Sequence, residues 1–192
     1  MGGVTGSGVT GLILAGGQGR RMGTVDKGLQ LLHGKPMVAA VLARLAPQVD
    51  EILINANQNL KAYEGFGHRV VPDAIGGFAG PLAGLHAGLS VAGHPLVLTA
   101  PCDSPFLPLD LFSRLFEKIK TNDLAVAKTG DQPHPVFALV RVTVRQNLED
   151  FLSRGGRKID AWYASLKVVE VSFDDEADAF RNINTREELD QA

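Results

Sequence analysis

Hydrophobic positions along the chain fall into two alternating rhythms: short unbroken apolar runs, and longer stretches with the period of a helix. The runs Gly11–Ala15, Glu51–Asn55, Arg69–Val71 and Leu96–Ala100 have the length and apolar density of strands covered on both faces. Between them, Lys35–Pro47 gathers Met37, Val38, Val41, Leu42 and Leu45 on one helical face, and Pro36 suits the first turn. Pro81–Val91 does the same with Leu82, Leu85, His86 and Leu89. The second half alternates less regularly. A helix is predicted over Leu109–Ile119, strands over Leu124–Lys128 and Val136–Val142, and a helix over Val142–Leu152 that Gly155 and Gly156 end. Lys167–Phe173 alternates in polarity like a strand, and a closing helix is predicted from Thr185, where Glu188 completes a capping box.

Repeated strand–helix units predict an α/β fold: a three-layer sandwich with a mostly parallel, Rossmann-like sheet covered by helices on both sides. No linker-like break interrupts the alternation, so one domain is expected over residues 10–192, preceded by a flexible glycine-rich leader over residues 1–9. A length of 192 residues is enough to close one core. The net charge of −2 gives no general attraction for nucleic acid, and no apolar run reaches membrane-spanning length. Cys102 is the single cysteine, which rules out an internal disulfide and fits a reducing compartment. A cytoplasmic monomer is expected.

In such sheets ligands gather beyond the carboxyl ends of the strands, and four of these ends carry polar residues. The first run breaks into Gly16-Gly17-Gln18-Gly19-Arg20-Arg21-Met22-Gly23, with Asp26-Lys27-Gly28 behind it. Glycine lets backbone N–H groups approach an anion closely, and successive amides make a concave cluster of donors. Arg20, Arg21 and Lys27 add full positive charges, so the segment predicts a triphosphate clamp. Two other glycine-loop readings fail. The chain has no Gly-Lys-Ser/Thr tripeptide, which a P-loop requires, and Met22 stands where a dinucleotide fingerprint needs its third glycine. Asn55 ends the second run, Asp73 follows the third, and Asp103 follows the fourth, braced by Pro101 and Pro105. One carboxylate beside a triphosphate meets the minimum for Mg²⁺, whose other ligands are phosphate oxygens and water. An aspartate there could equally cap a helix; beside the cationic loop, the metal role is the expectation.

Leu14-Ala15-Gly16-Gly17, Arg21-Met22-Gly23 and Lys27 resemble the signature of nucleotidyltransferases that act on sugar phosphates. Asn55-Ala56-Asn57, Gly80-Pro81-Leu82-Ala83-Gly84, Pro101-Cys102-Asp103, His134-Pro135 and Asn182-Ile183-Asn184-Thr185 follow in order. With them, nearly the whole chain resembles the molybdenum cofactor guanylyltransferase family. The resemblance implies transfer of GMP from GTP to the terminal phosphate of Mo-molybdopterin, with release of pyrophosphate. By the same resemblance, Leu14, Ala15, Gly16 and Gly17 line the nucleotide, Lys27 and Arg21 contact its phosphates, and Asn55 and Asp73 complete its site. Asp103 holds Mg²⁺ near those phosphates, and Asn182 and Asn184 face the pterin. Molybdenum-insertion proteins and molybdoenzyme chaperones are the protein partners it suggests. The acceptor phosphate is already an anionic nucleophile, so Lys27, Arg21 and Asp103 need only align it and neutralise charge.

Other acceptors remain open on the residues alone. Cytidylyl transfer to molybdopterin, or nucleotidyl transfer to a sugar phosphate, would use the same equipment. A NAD-dependent oxidoreductase would need an acid at the end of the second strand, where Asn55 stands. A regulator that binds nucleotide without turnover would not need Asp103 beside Lys27. Cys102 reads as a small spacer, because an adjacent aspartate opposes thiolate formation. His86 reads as a helix-face residue, and His134 faces either the acceptor or a loop partner. Arg157 and Lys158 read as solvated charges.

Overall fold

The computed structural model describes residues 8–17, 26–76, 80–183 and 188. Strands β1 (Val9–Leu14), β2 (Leu31–Leu32), β3 (Lys35–Pro36), β4 (Glu51–Asn55), β5 (Arg69–Val71) and β6 (Leu96–Pro101) form the first part, with helices α1 (Met37–Leu45), α2 (Leu60–Glu64) and α3 (Pro81–Val91). Helix α4 (Leu111–Ile119), β7 (Leu124–Thr129), β8 (Gln132–Arg141), α5 (Arg145–Ser153), α6 (Ile159–Tyr163) and β9 (Val168–Ser172) follow. Among the described residues the main sheet runs β5-β4-β1-β6-β8-β7-β9, and β2 and β3 make a separate ribbon. Strand β1 is parallel to β4 and β6, β4 to β5, and β7 to β9, whereas β8 is antiparallel to both neighbours.

Alternation of side chains along the strands divides the core into two layers. Val9, Ile13, Ile52, Ile54, Leu96, Leu98 and Leu139 face one side, where Val41 and Leu45 of α1 and Leu111 and Leu115 of α4 cover them. Leu12, Leu53, Val97, Val126 and Val140 face the other, against Leu82 and Leu89 of α3, Leu148 of α5 and Trp162 of α6. The expected three-layer α/β sandwich is the architecture found.

Several boundaries differ from expectation for local reasons. Val9, assigned to the leader, is the first residue of β1; it is buried, and its N–H donates to Asp50 Oδ2 at 2.8 Å. Lys35 and Pro36 do not open α1. They pair antiparallel with Leu32 and Leu31 across His33 and Gly34, whose positive φ angles (49° and 77°) make the tight turn. Helix α3 was expected to bury one side, yet Leu82 through Leu89 are all buried, His86 included. Strand β8 starts at Gln132 rather than Val136, because Gly130 and Asp131 alone link it to β7. The closing-helix residue Thr185 lies outside the described residues. Among the described residues no helix is long and apolar enough to cross a membrane.

Candidate active site

Strand order reverses between β1 and β6, since the chain first builds β4 and β5 outward from β1 and then returns to its other side. A crevice opens at such a point beyond the strand ends. Backbone hydrogen bonds join these ends. Ala15 N–H donates to Asn55 C=O (2.8 Å), and Cys102 N–H donates to Leu14 C=O (3.1 Å), so the segment leaving β1 is held from β4 and from β6.

On the β4 side, Asn55 is buried and its amide donates to Val71 C=O (3.0 Å) and to Asp73 Oδ1 (2.8 Å). Asn57 completes the group: Nδ2 donates to Asp73 Oδ2 (2.9 Å) and to Gly16 C=O (3.3 Å), and Oδ1 accepts from Asp73 N–H (2.8 Å). A Cβ on Gly16 would lie 2.8 Å from both Asn55 Oδ1 and Asn57 Nδ2, so only glycine allows the first loop to pass this close. Gly17, next along, is exposed.

On the β6 side, Lys27 Nζ donates to Asp103 Oδ2 at 3.1 Å. Lys27 stands in a short 3-10 turn, Lys27–Leu29, and Asp103 follows β6 by two residues with only 8% of its surface exposed. The Asp103 backbone C=O accepts from Ile183 N–H (2.8 Å), and Ser104 Oγ donates to Asn182 Oδ1. The chain after β9 is thereby tied to the Asp103 turn. His134 lies in the half of β8 that extends beyond β6, on the same edge of the sheet as the strand ends. Its ring stacks on Phe180 at 4.7 Å, and Nε2 is 2.7 Å from Thr129 Oγ1. Burial pushes the His134 imidazole below its ordinary range. Burial, reinforced by Asp103, pushes the Cys102 thiol up and leaves it an inert spacer.

Residues 11–168 match the family model described as a MobA-like NTP transferase domain. The chain belongs to the MobA-like NTP transferase family. It is a nucleotidyltransferase, and the relatives agree along its length. It is 54% identical over 188 residues to the molybdenum cofactor guanylyltransferase of Cupriavidus necator, covering 94% of each chain. The enzyme of that name from Shewanella putrefaciens is 48% identical over 182 residues, 94% of this chain and 93% of the other. Among solved structures, molybdopterin-guanine dinucleotide biosynthesis protein A from Archaeoglobus fulgidus matches with a TM-score of 0.77 at 26% identity, over 95% of each chain. A 4-diphosphocytidyl-2C-methyl-D-erythritol synthase from Anaerococcus prevotii matches at 0.71 and 15% identity, over 96% of this chain and 95% of that one, a likeness of fold.

Measured against this MobA-like frame, the expected residues form two groups joined by the end of β1. Gly16, Asn55 and Asp73 make the first, and Lys27, Asp103 and Asn182 the second, with Leu14 and Ala15 between them. Arg21 and Asn184 lie outside the described residues. Asn57 and Ser104 were absent from the expected set. A signal for Asn57 was available, because positions i and i+2 of an extended chain face the same way, and Asn55 was already assigned. Ser104 carries no comparable signal, since its partner Asn182 is 78 positions away.

Proposed function

We propose that this nucleotidyltransferase joins GMP from GTP to the terminal phosphate of Mo-molybdopterin and releases pyrophosphate. The observation that carries the reading is the 54% identity, over 94% of the chain, to a relative named for that reaction. The site chemistry agrees with it. Triphosphate oxygens need fixed cationic and N–H donors, and Lys27 stands at the crevice beside the end of β1. Positive charge held there offsets the charge that grows on pyrophosphate as the α-phosphorus bond breaks. Lys27 and Arg21 serve this role, the backbone from Leu14 to Gly17 lines the nucleotide, and Asn55, through Asp73, shapes the wall opposite. Asn182 and Asn184 face the pterin. The acceptor phosphate attacks in its anionic form, so no side-chain base takes a proton from it.

Asp103 fits Mg²⁺ as a single-carboxylate ligand. Among the described residues no group of three or more His, Cys, Asp or Glu side chains could cage a metal. That donor set suits a cation carried in by phosphate oxygens, because Mg²⁺ keeps water and phosphate as most of its ligands. When bound, the ion supplies charge neutralisation at the phosphates. The single catalytic domain includes β1 from Val9 onward, and the protein works as a cytoplasmic monomer that receives molybdopterin from insertion proteins and delivers product to molybdoenzyme chaperones.

The test is pyrophosphate release from GTP or CTP with Mg²⁺, in the presence and absence of Mo-molybdopterin. Release with GTP that requires the pterin is expected, and Asp103→Asn should lower its rate by about 10²–10³-fold while the protein stays folded. Release with CTP alone, or near-normal turnover in the Asp103 variant, would contradict the reading.

A further inference from the structure

Tyr63 is the one residue of α2 that is fully buried, and its ring lies in the core among residues that include Ala15 and Cys102. Its hydroxyl does not stay in the core. It donates to Asp26 Oδ1, the residue immediately before Lys27. On the other side of Lys27, a Cβ built on Gly28 would meet Tyr63 Oη at 2.6 Å. One phenol oxygen therefore touches the chain directly before Lys27 and crowds it directly after. Asn59, two residues past Asn57, adds a second hold: Nδ2 donates to Asp26 Oδ2 at 3.1 Å. Asn59 sits in the left-handed region at φ 51°, a conformation that asparagine tolerates better than most residues. Both carboxylate oxygens of Asp26 are thus engaged by side chains from the segment after β4. Its backbone C=O also accepts, from Leu29 N–H at 3.3 Å and from the Gln30 side-chain amide at 3.4 Å.

We infer that Tyr63 and Asn59 are positioning residues for Lys27, acting through Asp26 and Gly28. This rests on the proposed reading in which Lys27 contacts the phosphates of GTP. A lysine side chain is long and has many rotamers, so an ammonium aimed at a phosphate needs its backbone fixed. The nearest hydrogen-bonding handle is the neighbouring Asp26 carboxylate, and Tyr63 anchors that handle to the rigid core. Burial, with Cys102 and Asp26 beside it, pushes the Tyr63 phenol up, so the hydroxyl remains a donor across the range of any assay. Tyr63 holds the chain on both sides of the lysine, and Asn59 holds it on the Asp26 side.

The experiment is a double-mutant cycle on GTP affinity, with pyrophosphate release followed in parallel. Tyr63→Phe keeps the ring and removes only the donor; it should weaken GTP binding about tenfold, the size expected for a hydrogen bond to a charged partner. In a Lys27→Ala background the same change should alter binding less than about twofold, because the group being positioned is gone. A purely structural role for Tyr63 would weaken both backgrounds alike. Asn59→Asp, which suits the left-handed backbone and turns a donor into a charge that repels Asp26, should follow the same pattern. Equal effects in both backgrounds, or wild-type affinity in Tyr63→Phe and Asn59→Asp, would overturn the inference while leaving turnover by the unaltered protein intact. Failure of the unaltered protein to bind GTP would overturn the proposed function and this inference together.

Discussion

Asn55 commits both hydrogens of its amide, one to Val71 C=O and one to Asp73 Oδ1, so a single buried side chain fixes the end of β5 and the aspartate beyond it. His134 makes a different use of burial. Its ring is stacked on Phe180 and set edge-on to Phe137 at 6.2 Å, and burial favours the neutral imidazole in the folded protein. An unfolded histidine has no such preference. As pH falls below the ordinary value of 6.5, the unfolded chain takes up a proton that the folded one resists, and stability is lost. Urea titrations between about pH 8 and pH 5 should show this loss in the unaltered protein and a smaller one in His134→Gln. Equal losses would contradict it. Lys27, Asn55, Asp73 and Asp103 were legible as site candidates because each stands just past an apolar run or glycine loop. Asp26 and Tyr63 were not, because their pairing joins residues 37 positions apart and no local pattern marks it.

Helix α3 joins the site to the second core layer through two glycines. A Cβ on Gly84 would lie 2.2 Å from Asn55 Oδ1, and one on Gly88 would lie 2.4 Å from Leu12 Cδ2. The helix can approach β1 and β4 this closely only without those side chains. Gly84→Ala should therefore force α3 or Asn55 to shift and cost about 1–3 kcal/mol, the usual range for overpacking a close contact. A chemical denaturation midpoint measures it, and an unchanged midpoint would contradict the packing described. Longer elements were legible wherever their period had room to repeat, as in α1, α3, α4 and the strands β1, β4 and β6. Helices α2 and α6 have five residues each, little more than one turn, and their single buried anchors, Tyr63 and Trp162, give no period to detect. The β2–β3 ribbon, with two residues in each strand, is shorter still.

At the scale of the whole molecule, strand–helix alternation announced an α/β sandwich but not the reversed direction of β8. The reversal follows from the two-residue connection at Gly130 and Asp131, too short for any parallel crossover. Pro133 and Pro135 obscured the start of this strand. They are tolerated because β6 pairs only with Leu139–Arg141, which leaves the first half of β8 without a ladder on that side. Register then shifts between Val126 and Ala127 of β7. Thr99 Oγ1 donates to Val136 C=O (2.8 Å) and accepts from Ala138 N–H (3.1 Å), while Tyr163 Oη donates to Pro135 C=O (2.6 Å). These bonds carry His134 onto the edge where β1, β4, β5 and β6 end, so both halves of the sheet contribute to one rim. On the proposed reading that rim brings the α-phosphorus of GTP to a pterin phosphate, and the fate of the α-phosphate tests it most directly. With GTP labelled at the α-phosphate, Mg²⁺ and Mo-molybdopterin, the label is predicted to move onto the pterin as a dinucleotide, with unlabelled pyrophosphate released. Label that stays in GTP, or leaves as free GMP or GDP, would contradict the account.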